Sequence, residues 1–407
     1  MKEIIGQIIE KLEAIFLPKR VKQPETEKAN GSTRKLQRFL TERFDFRHNQ
    51  LTGVTEYRPK DEDAPFRPID ERNMNGMIVD ARLEGIACWN SMVPTLVLSN
   101  KVESFNPFHL YMNELPEWDR KDRVIPLLQR VSDDEMWLRG GRYWLRAMAA
   151  QWMGEERCHA NALMPILISG EQGLGKSTFC RQLLPDSLRG YYLDNLNLSP
   201  GTSPEKKLVR TGLINLDEFD RYSPRKQSTL KNLMQMTTLS IRRAYEKNAS
   251  VLPRIASFIG TSNSDALLCD PTGSRRFLCV EITESIDVAT PIEYEQLYAQ
   301  CLHLLDNGER HHFTDDEVRD IELRNRGYRR SLPLEELFFA HYRLPREGEE
   351  PELLSAAEIY DHLYDLDPRT MRGVCRQNFG AELRSFGVVR RKHHERRVYG
   401  VKLRIEN

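Results

Sequence analysis

The 407-residue sequence predicts an α/β fold built on a buried parallel sheet, and three observations support this. A continuous apolar run, Ile166 to Ile168, precedes a glycine-rich loop and the helical pattern "STFCRQLL". Two more apolar runs, Leu213 to Leu216 and Ile255 to Ile259, also end in polar residues. Short apolar runs without alternation are typical of strands covered on both faces. Polar residues at such strand ends are expected to form a site at one edge of the sheet.

The loop after the first run has the composition of a phosphate-binding loop. Its spacing, Gly170-x-x-x-x-Gly175-Lys176-Ser177, matches the pattern in which loop N–H groups and a helix N-terminus bind an anion. Gly170, Gly173 and Gly175 are expected to allow positive φ and close approach of a ligand. An ordinary glycine-rich turn is the alternative, but the flanking strand and helix argue against it. We expect a nucleoside triphosphate to be bound by Gly170, Glu171, Gln172, Gly173, Leu174, Gly175, Lys176, Ser177 and Thr178.

The second apolar run ends in an acidic pair, in the sequence "LINLDEFD". Lys176 is expected to neutralise the β- and γ-phosphates, and the Ser177 hydroxyl to hold Mg²⁺. Asp217 would hold the same ion in its outer shell, and Glu218 would orient and deprotonate the attacking water. This pattern favours hydrolysis by water over transfer to another acceptor. A helix-capping acidic pair is the alternative interpretation.

Two further motifs follow in the order that such a site requires. Asn263 ends the third run, in "GTSN", where a neutral amide can hydrogen-bond the γ-phosphate and the lytic water. By itself this motif is equally a cap or a turn. Arg275 and Arg276 lie in a Gly/Ser turn directly before a predicted strand, Phe277 to Ile282. Arginine delivered to a neighbouring subunit's γ-phosphate accelerates hydrolysis by about 10³–10⁵-fold, although surface arginine pairs without a role are common.

These motifs, with "LDEFD", a basic turn, "GTSN" and "DPTGSRRF" in this order, resemble the virulence-associated protein E family. That family comprises compact P-loop ATPases related to the superfamily 3 helicases of viruses and mobile elements. The resemblance covers about residues 105–284 and implies an AAA+-type αβα core, ATP and Mg²⁺ as ligands, a homo-oligomeric ring with sites between subunits, and DNA as the track. Larger relatives carry a primase domain in front, but the first hundred residues here leave no room for one, so we expect no primase activity in this chain.

The resemblance also implies roles for individual residues. It assigns the site within one subunit to Lys176, Ser177, Asp217, Glu218 and Asn263. It assigns the arginine offered to the neighbouring subunit to either Arg275 or Arg276.

DNA contacts are expected in two regions. Between the second and third strands, Lys231, Arg242, Arg243, Tyr245 and Lys247 combine basic groups with one aromatic ring, which suits single-stranded DNA in a ring channel. In the family this segment includes a DNA-facing hairpin. The alternative is a strand that contacts nucleotide or a neighbouring subunit, because Arg242 also matches an arginine near the ATP interface of such proteins.

The second DNA candidate is the C-terminus, where two predicted helices and a hairpin form a winged-helix pattern. Residues 371–407 contain ten Lys/Arg against three Glu and no Asp. This local excess predicts duplex contact in a protein whose 60 basic and 60 acidic side chains balance. A subunit-docking module is the alternative. The wing residues are Arg390, Arg391, Lys392, Arg396 and Arg397.

Composition and segmentation complete the prediction. Seven cysteines without a C-x-x-C pair indicate reduced thiols in a cytoplasmic protein, and no apolar run is long enough to cross a bilayer. The N-terminus predicts an amphipathic helix, packed on protein in preference to a membrane. The expected segments are 1–33, amphipathic helix and linker; 34–105, a small α+β domain; 106–161, a helical lead-in; 162–330, the P-loop ATPase; and 331–407, the winged-helix-like basic domain.

Two functions fit these features. The first is an ATP-driven DNA helicase or translocase of a mobile genetic element, acting in replication initiation or excision. The second is an ATP-dependent, DNA-bound regulatory or defence switch that does not unwind DNA. A small-molecule kinase is disfavoured because the chain shows no recognisable lid or acceptor pocket.

Overall fold

The computed structural model divides the chain into two compact units, Met1–Leu110 and Tyr111–Asn407. None of the helices in its described part is long and apolar enough to cross a membrane. The predicted N-terminal amphipathic helix lies outside the described residues, which are 25–154, 160–199, 201–242, 248–269, 274–330, 333–346, 348–393 and 396–404.

The first unit is a small sheet with helices packed on one face. Its strands are β1 (Phe44–Asn49), β2 (Val54–Pro59), β3 (Arg67–Pro68) and β4 (Ser104–Phe105), in the order β3-β2-β1-β4. Its helices are α1 (Glu25–Arg43), α2 (Glu71–Leu83) and α3 (Met92–Val97), whose apolar residues form one core with the strands. Residues 25–33, expected as linker, instead form the first turns of α1. Pro24 directly precedes this segment, and residues 25–43 contain no proline that would interrupt the helix.

The region expected as a helical lead-in contains α4 (Pro107–Asn113), α5 (Val124–Gln129) and α6 (Glu135–Met153). Helix α6 packs directly on the central sheet of the second unit. Its indole N–H groups donate to strand and turn carbonyls, from Trp144 to Phe258 at 3.0 Å and from Trp152 to Gly212 at 3.1 Å. The helix therefore belongs to the same core as the sheet.

The strands of the central sheet of the second unit are β5 (Met164–Ile168), β6 (Tyr192–Asp194), β7 (Leu213–Leu216), β10 (Ser257–Ser262) and β11 (Phe277–Glu281). They are parallel and lie in the order β11-β5-β10-β7-β6. Strands β5, β7 and β10 are buried along their whole length, which confirms the fully covered strands that the apolar runs predict. The helices are α7 (Lys176–Gln182), α8 (Glu205–Leu208), α9 (Pro224–Gln235), α10 (Tyr294–Asp306) and α11 (Asp315–Asn325). The unit is thus mixed α/β with a parallel sheet and helices.

The chain between β7 and β10 forms a separate antiparallel hairpin of β8 (Thr238–Ile241) and β9 (Ser250–Pro253). It occupies the chain segment in which the family resemblance implies a hairpin.

The C-terminal part combines short helices with a small sheet. Its helices are α12 (Pro333–His341), α13 (Ala356–Leu366), α14 (Pro368–Met371) and α15 (Phe379–Ser385). Its strands are β12 (Tyr342–Arg343), β13 (Glu352–Leu354), β14 (Arg390–His393) and β15 (Arg396–Leu403). The β14–β15 hairpin is confirmed, whereas the single helix expected after α13 is wrong. That segment is divided because Gly373 takes φ of 96°, which ends helical geometry after α14.

Candidate functional site

The glycine-rich loop joins the carboxyl end of β5 to the first residue of α7. Gly173 and Gly175 have φ of 83° and 86°, as the spacing predicts. A Cβ at Gly175 would lie 3.3 Å from Cγ1 of Val288 and 3.4 Å from the carbonyl oxygen of Ile286. Both the backbone angle and the close neighbours therefore favour glycine there. The expectation of a positive φ is wrong for Gly170, which lies just after the end of β5 and before the two left-handed glycines.

The Lys176 side chain is buried, at 8% exposure, under the loop. Its ammonium donates to the carbonyl oxygens of Ser169 at 3.3 Å and Glu171 at 3.2 Å, and to Oδ1 of Asn263 at 3.0 Å. Burial lowers the pKa of Lys176, because the charged form loses water. The third contact brings Lys176 and Asn263 together from the segments that follow two neighbouring strands.

Ser177 and Asp217 also meet at this edge. The Ser177 hydroxyl donates to Oδ1 of Asp217 at 3.4 Å, and the Thr261 hydroxyl donates to the same oxygen. The backbone N–H of Asp217 donates to Oδ1 of Asn195 at 3.1 Å, which fixes the end of β7. A hydroxyl and a carboxylate oxygen next to a buried ammonium form a donor set that fits Mg²⁺ together with a polyphosphate.

Glu218 follows with an unusual backbone. Its φ and ψ are 52° and 49°, a left-handed conformation that costs about 1–3 kcal/mol for a residue other than glycine. Its carboxylate is paired with Arg221, with Oε2 and Nη1 2.6 Å apart. The predicted base therefore lies beside the site with its charge engaged by an arginine of the same turn.

Asp220 is a site residue that the sequence analysis missed. Its Oδ1 accepts from the Ser262 hydroxyl at 3.0 Å and from the backbone N–H of Asn263 at 3.4 Å. It thereby connects the turn after β7 to the end of β10. The final aspartate of "LDEFD" was the available signal, but its role depends on a 3₁₀ turn, Phe219–Arg221, that no periodicity marks.

The arginine pair lies at the opposite edge of the sheet. Arg275 and Arg276 end a 3₁₀ turn directly before β11. Strand β11 runs parallel to β5, with Phe277 beside Met164 and Glu281 beside Ile168. Four strand steps of about 3.3 Å separate the two edges by roughly 13 Å. Neither arginine is therefore grouped with the phosphate loop of its own chain.

Arg275 and Arg276 line a cavity of about 190 Å³. Asn161, His311, His312 and Phe313 also line it. The charged lining side chains are basic, so the cavity suits an anionic group.

The expected DNA residues do not all lie together on a surface. Lys231 is 7% exposed, on the face of α9 that also buries Gln227, Leu230 and Met234. The expectation that Lys231 meets DNA is therefore wrong, because the helical period turns it inward. Arg242 is exposed at the end of β8. The remaining predicted residues, Arg243, Tyr245 and Lys247, lie outside the described residues.

The β14–β15 hairpin presents all five predicted basic residues to solvent: Arg390, Arg391, Lys392, Arg396 and Arg397. Lys392 is paired in register with Arg397. Like charges directly opposite on two strands are destabilising, so this arrangement costs stability. Such a cost is expected where the charge serves binding.

Solved structures of the NrS-1 C-terminal region are similar at a low level. An apo form of residues 305–718 shares 12% identity over 91% of this chain and 99% of that chain, with a TM-score of 0.45. Two A-form apo structures share 12% and 14% identity, cover 90% and 88% of this chain and 98% and 88% of theirs, and have TM-scores of 0.43 and 0.42. No curated protein matches the chain.

Two family models match the second unit. Residues 331–401 match a domain of unknown function from a B. Theta gene description, DUF3874. Residues 112–330, more than half of the chain, match the virulence-associated protein E-like domain. The chain belongs to the virulence-associated protein E-like family.

Proposed function

We propose that the chain is an ATP-hydrolysing DNA helicase or translocase that serves the replication or excision of a mobile genetic element. The observation that carries this proposal is the grouping of Lys176, Ser177, Asp217 and Asn263 at one sheet edge, while the arginine pair lies at the other edge. Membership in the virulence-associated protein E-like family supports a role in mobile-element replication.

The architecture fits this function. The five parallel strands with flanking helices support an AAA+-type P-loop core. Helices α13 and α15 followed by the β14–β15 hairpin support a winged-helix-like domain behind it.

Each site residue has a task in hydrolysis. Lys176 binds the β- and γ-phosphates of ATP, and Ser177 and Asp217 hold Mg²⁺. When bound, that ion neutralises charge on the phosphates and polarises them for attack. Glu218, once released from Arg221, accepts the proton of the attacking water. The side-chain N–H group of Asn263 orients that water, while its Oδ1 accepts the hydrogen bond that keeps Lys176 in place.

The sheet edge that carries Arg275 and Arg276 acts on the neighbouring subunit. A head-to-tail interface would place the phosphate-loop edge of one subunit against the Arg275–Arg276 edge of the next, and such interfaces close into rings. The basic cavity beside the pair would then face the neighbour's γ-phosphate. This arrangement would explain why Arg275 and Arg276 lie at the edge of the sheet opposite the phosphate loop of their own chain.

DNA would be contacted at two places. Arg242, with the neighbouring Arg243, Tyr245 and Lys247 of the same segment, would face single-stranded DNA in the ring channel. The exposed basic residues of β14 and β15 would contact duplex phosphates.

A second candidate function is an ATP-dependent, DNA-bound switch without unwinding. The Glu218–Arg221 ion pair favours it, because a base engaged by an arginine suits slow turnover.

The deciding experiment measures ATP turnover with and without single-stranded DNA at two salt concentrations, for wild type, Lys176→Ala and the double change Arg275→Ala/Arg276→Ala. The motor proposal expects salt-sensitive stimulation by DNA, with both variants inactive and the arginine variant still binding ATP. An ATP turnover rate that does not change when DNA is added would instead support the switch.

A further inference from the structure

The last residue of α11 holds the arginine turn at both ends. Asn325 is buried, at 2% exposure. Its Nδ2 donates to the carbonyl oxygen of Ser274 at 2.7 Å and to that of Phe277 at 2.8 Å. These carbonyls lie on either side of Arg275 and Arg276. One side-chain amide therefore fixes the backbone that carries the pair.

Five residues later, the same segment reaches the nucleotide edge. Nη1 of Arg330 donates to the carbonyl oxygen of Asp220 at 3.1 Å. The Asp220 carboxylate in turn accepts from Ser262 and from the N–H of Asn263. Asn263 is the residue whose amide oxygen binds Lys176. Arg330 therefore contacts the turn whose aspartate holds the backbone of Asn263.

The middle of the segment is attached along its length. The Tyr328 hydroxyl donates to Oε1 of Glu281 at 2.9 Å, at the far end of β11 from the arginines. The Tyr328 carbonyl accepts from the N–H groups of Leu267 at 3.1 Å and Leu268 at 2.9 Å, and the N–H of Arg330 donates to the carbonyl of Leu268 at 2.8 Å. The segment thus crosses from one sheet edge to the other with attachments at both ends and between them.

We propose that residues 325–330 form a strap that couples the two edges, with Asn325 and Arg330 as its positioning residues. Nucleotide bound at Lys176 and Asn263 would bias the Asp220 turn, and the strap would carry that bias to the arginine pair offered to the next subunit. Packed, hydrogen-bonded elements of this kind can carry coupling between two sites. The proposal rests on the proposed function, since it assumes that the arginine pair acts on a neighbouring subunit.

The Asn325 arm of the strap is tested with Asn325→Ala mixed with Lys176→Ala. Alone, Asn325→Ala is expected to bind a fluorescent ATP analogue within about twofold of wild type, with kcat lowered at least tenfold. In mixed rings, Lys176→Ala subunits offer intact arginine turns to the intact loops of Asn325→Ala subunits. Turnover should therefore recover at least threefold over the sum of the separate variants. Thermal unfolding and oligomer size of each variant are measured in parallel.

The same mixing, done with Arg275→Ala/Arg276→Ala, separates the two proposals. No rescue of this arginine variant by Lys176→Ala refutes the trans site, and the strap falls with it. Rescue of the arginine variant without rescue of Asn325→Ala, or wild-type turnover of Asn325→Ala alone, refutes the strap and leaves the trans site standing.

The Arg330 arm is tested by cooperativity, which a purely structural brace would not change. We expect the Hill coefficient for ATP to exceed 1 in wild type and to fall toward 1 in Arg330→Ala, because the neighbouring sites become uncoupled. The matched control is Arg319→Ala, a highly exposed arginine on α11, 76% accessible, that pairs with Asp316. A wild-type Hill coefficient of 1, or an unchanged coefficient in Arg330→Ala, overturns the coupling. Should Asn325→Ala not fold, this surface variant still decides the matter.

Discussion

The Nζ of Lys176 lies 3.0 Å from Oδ1 of Asn263, so one hydrogen bond joins the first residue of α7 to the residue that follows β10. This contact links the residue proposed to bind phosphate to the residue proposed to orient water. Replacing Asn263 with alanine removes the amide from the reaction centre and one of three oxygen partners of a buried ammonium.

Asn263→Ala is therefore expected to lower the kcat of ATP hydrolysis by about 10²-fold, the usual effect of deleting one preorganised polar group. The Kd for ATP should change far less, since Lys176 keeps its two carbonyl partners. Steady-state kinetics and analogue binding check both values, with the neighbouring exposed Asp265→Ala as control. Equal losses in binding and kcat would contradict an orienting role.

Ser177→Ala should weaken the use of Mg²⁺. The Ser177 hydroxyl is adjacent to the Asp217 carboxylate, so its loss removes one of the two groups expected to hold the ion. Titrating Mg²⁺ at saturating ATP is expected to show a half-maximal concentration raised about tenfold or more. Ser187→Ala, which removes an exposed hydroxyl outside the loop, is the matched control. An unchanged Mg²⁺ requirement would exclude Ser177 as a ligand.

Arg221→Ala should raise basal ATP turnover, because it releases the Glu218 carboxylate. An exposed ion pair is worth about 0.2–1 kcal/mol, which limits the rise to about fivefold. Glu218→Gln should lower turnover at least 10²-fold while ATP remains bound. Comparing the ATP turnover of the two variants without DNA measures how far Arg221 restrains Glu218. A fall in turnover for Arg221→Ala would contradict this role of the ion pair.

The basic hairpin offers a change with opposite effects on binding and stability. Lys392→Glu places a carboxylate opposite Arg397, so the free energy of unfolding should rise by about 0.2–1 kcal/mol. Its affinity for duplex DNA should fall, and the dependence of that affinity on salt should become shallower. Denaturant unfolding and binding at several salt concentrations report both effects, with Lys101→Glu of the first unit as control. Unchanged DNA binding would favour a docking role for the hairpin.

Acid should remove one stabilising contact of the C-terminal domain. Two hydrogen bonds of 2.6 Å from Arg343 hold the pKa of Glu349 at about 2, below its usual 4.5. A carboxyl with a lowered folded-state pKa stabilises above pH 4.5, and this contribution is lost as the pH falls toward 2. Glu349→Gln should therefore be less stable than wild type at pH 7, and the difference in unfolding midpoint should shrink below pH 4.5. A difference independent of pH would contradict this assignment.

Local sequence was sufficient where one short segment defines both a structure and a chemistry. The phosphate loop needs glycine at its left-handed positions, and Gly173 and Gly175 adopt them as expected. The buried strands follow from short, largely apolar runs, and the β14–β15 hairpin from its charged tip. The motif order was also enough to identify the family that residues 112–330 match.

Tertiary structure decided every feature that depends on which segments become neighbours. The inward position of Lys231 follows from the packing of α9, and the distance of Arg275 and Arg276 from their own loop follows from the direction of β11. Asp220 and Asn325 act through hydrogen bonds to residues more than forty positions away. Sequence periodicity reports which face of an element is buried. It does not report which carbonyl a buried amide will meet, because that partner is set by strand order and by the path of the chain between strands.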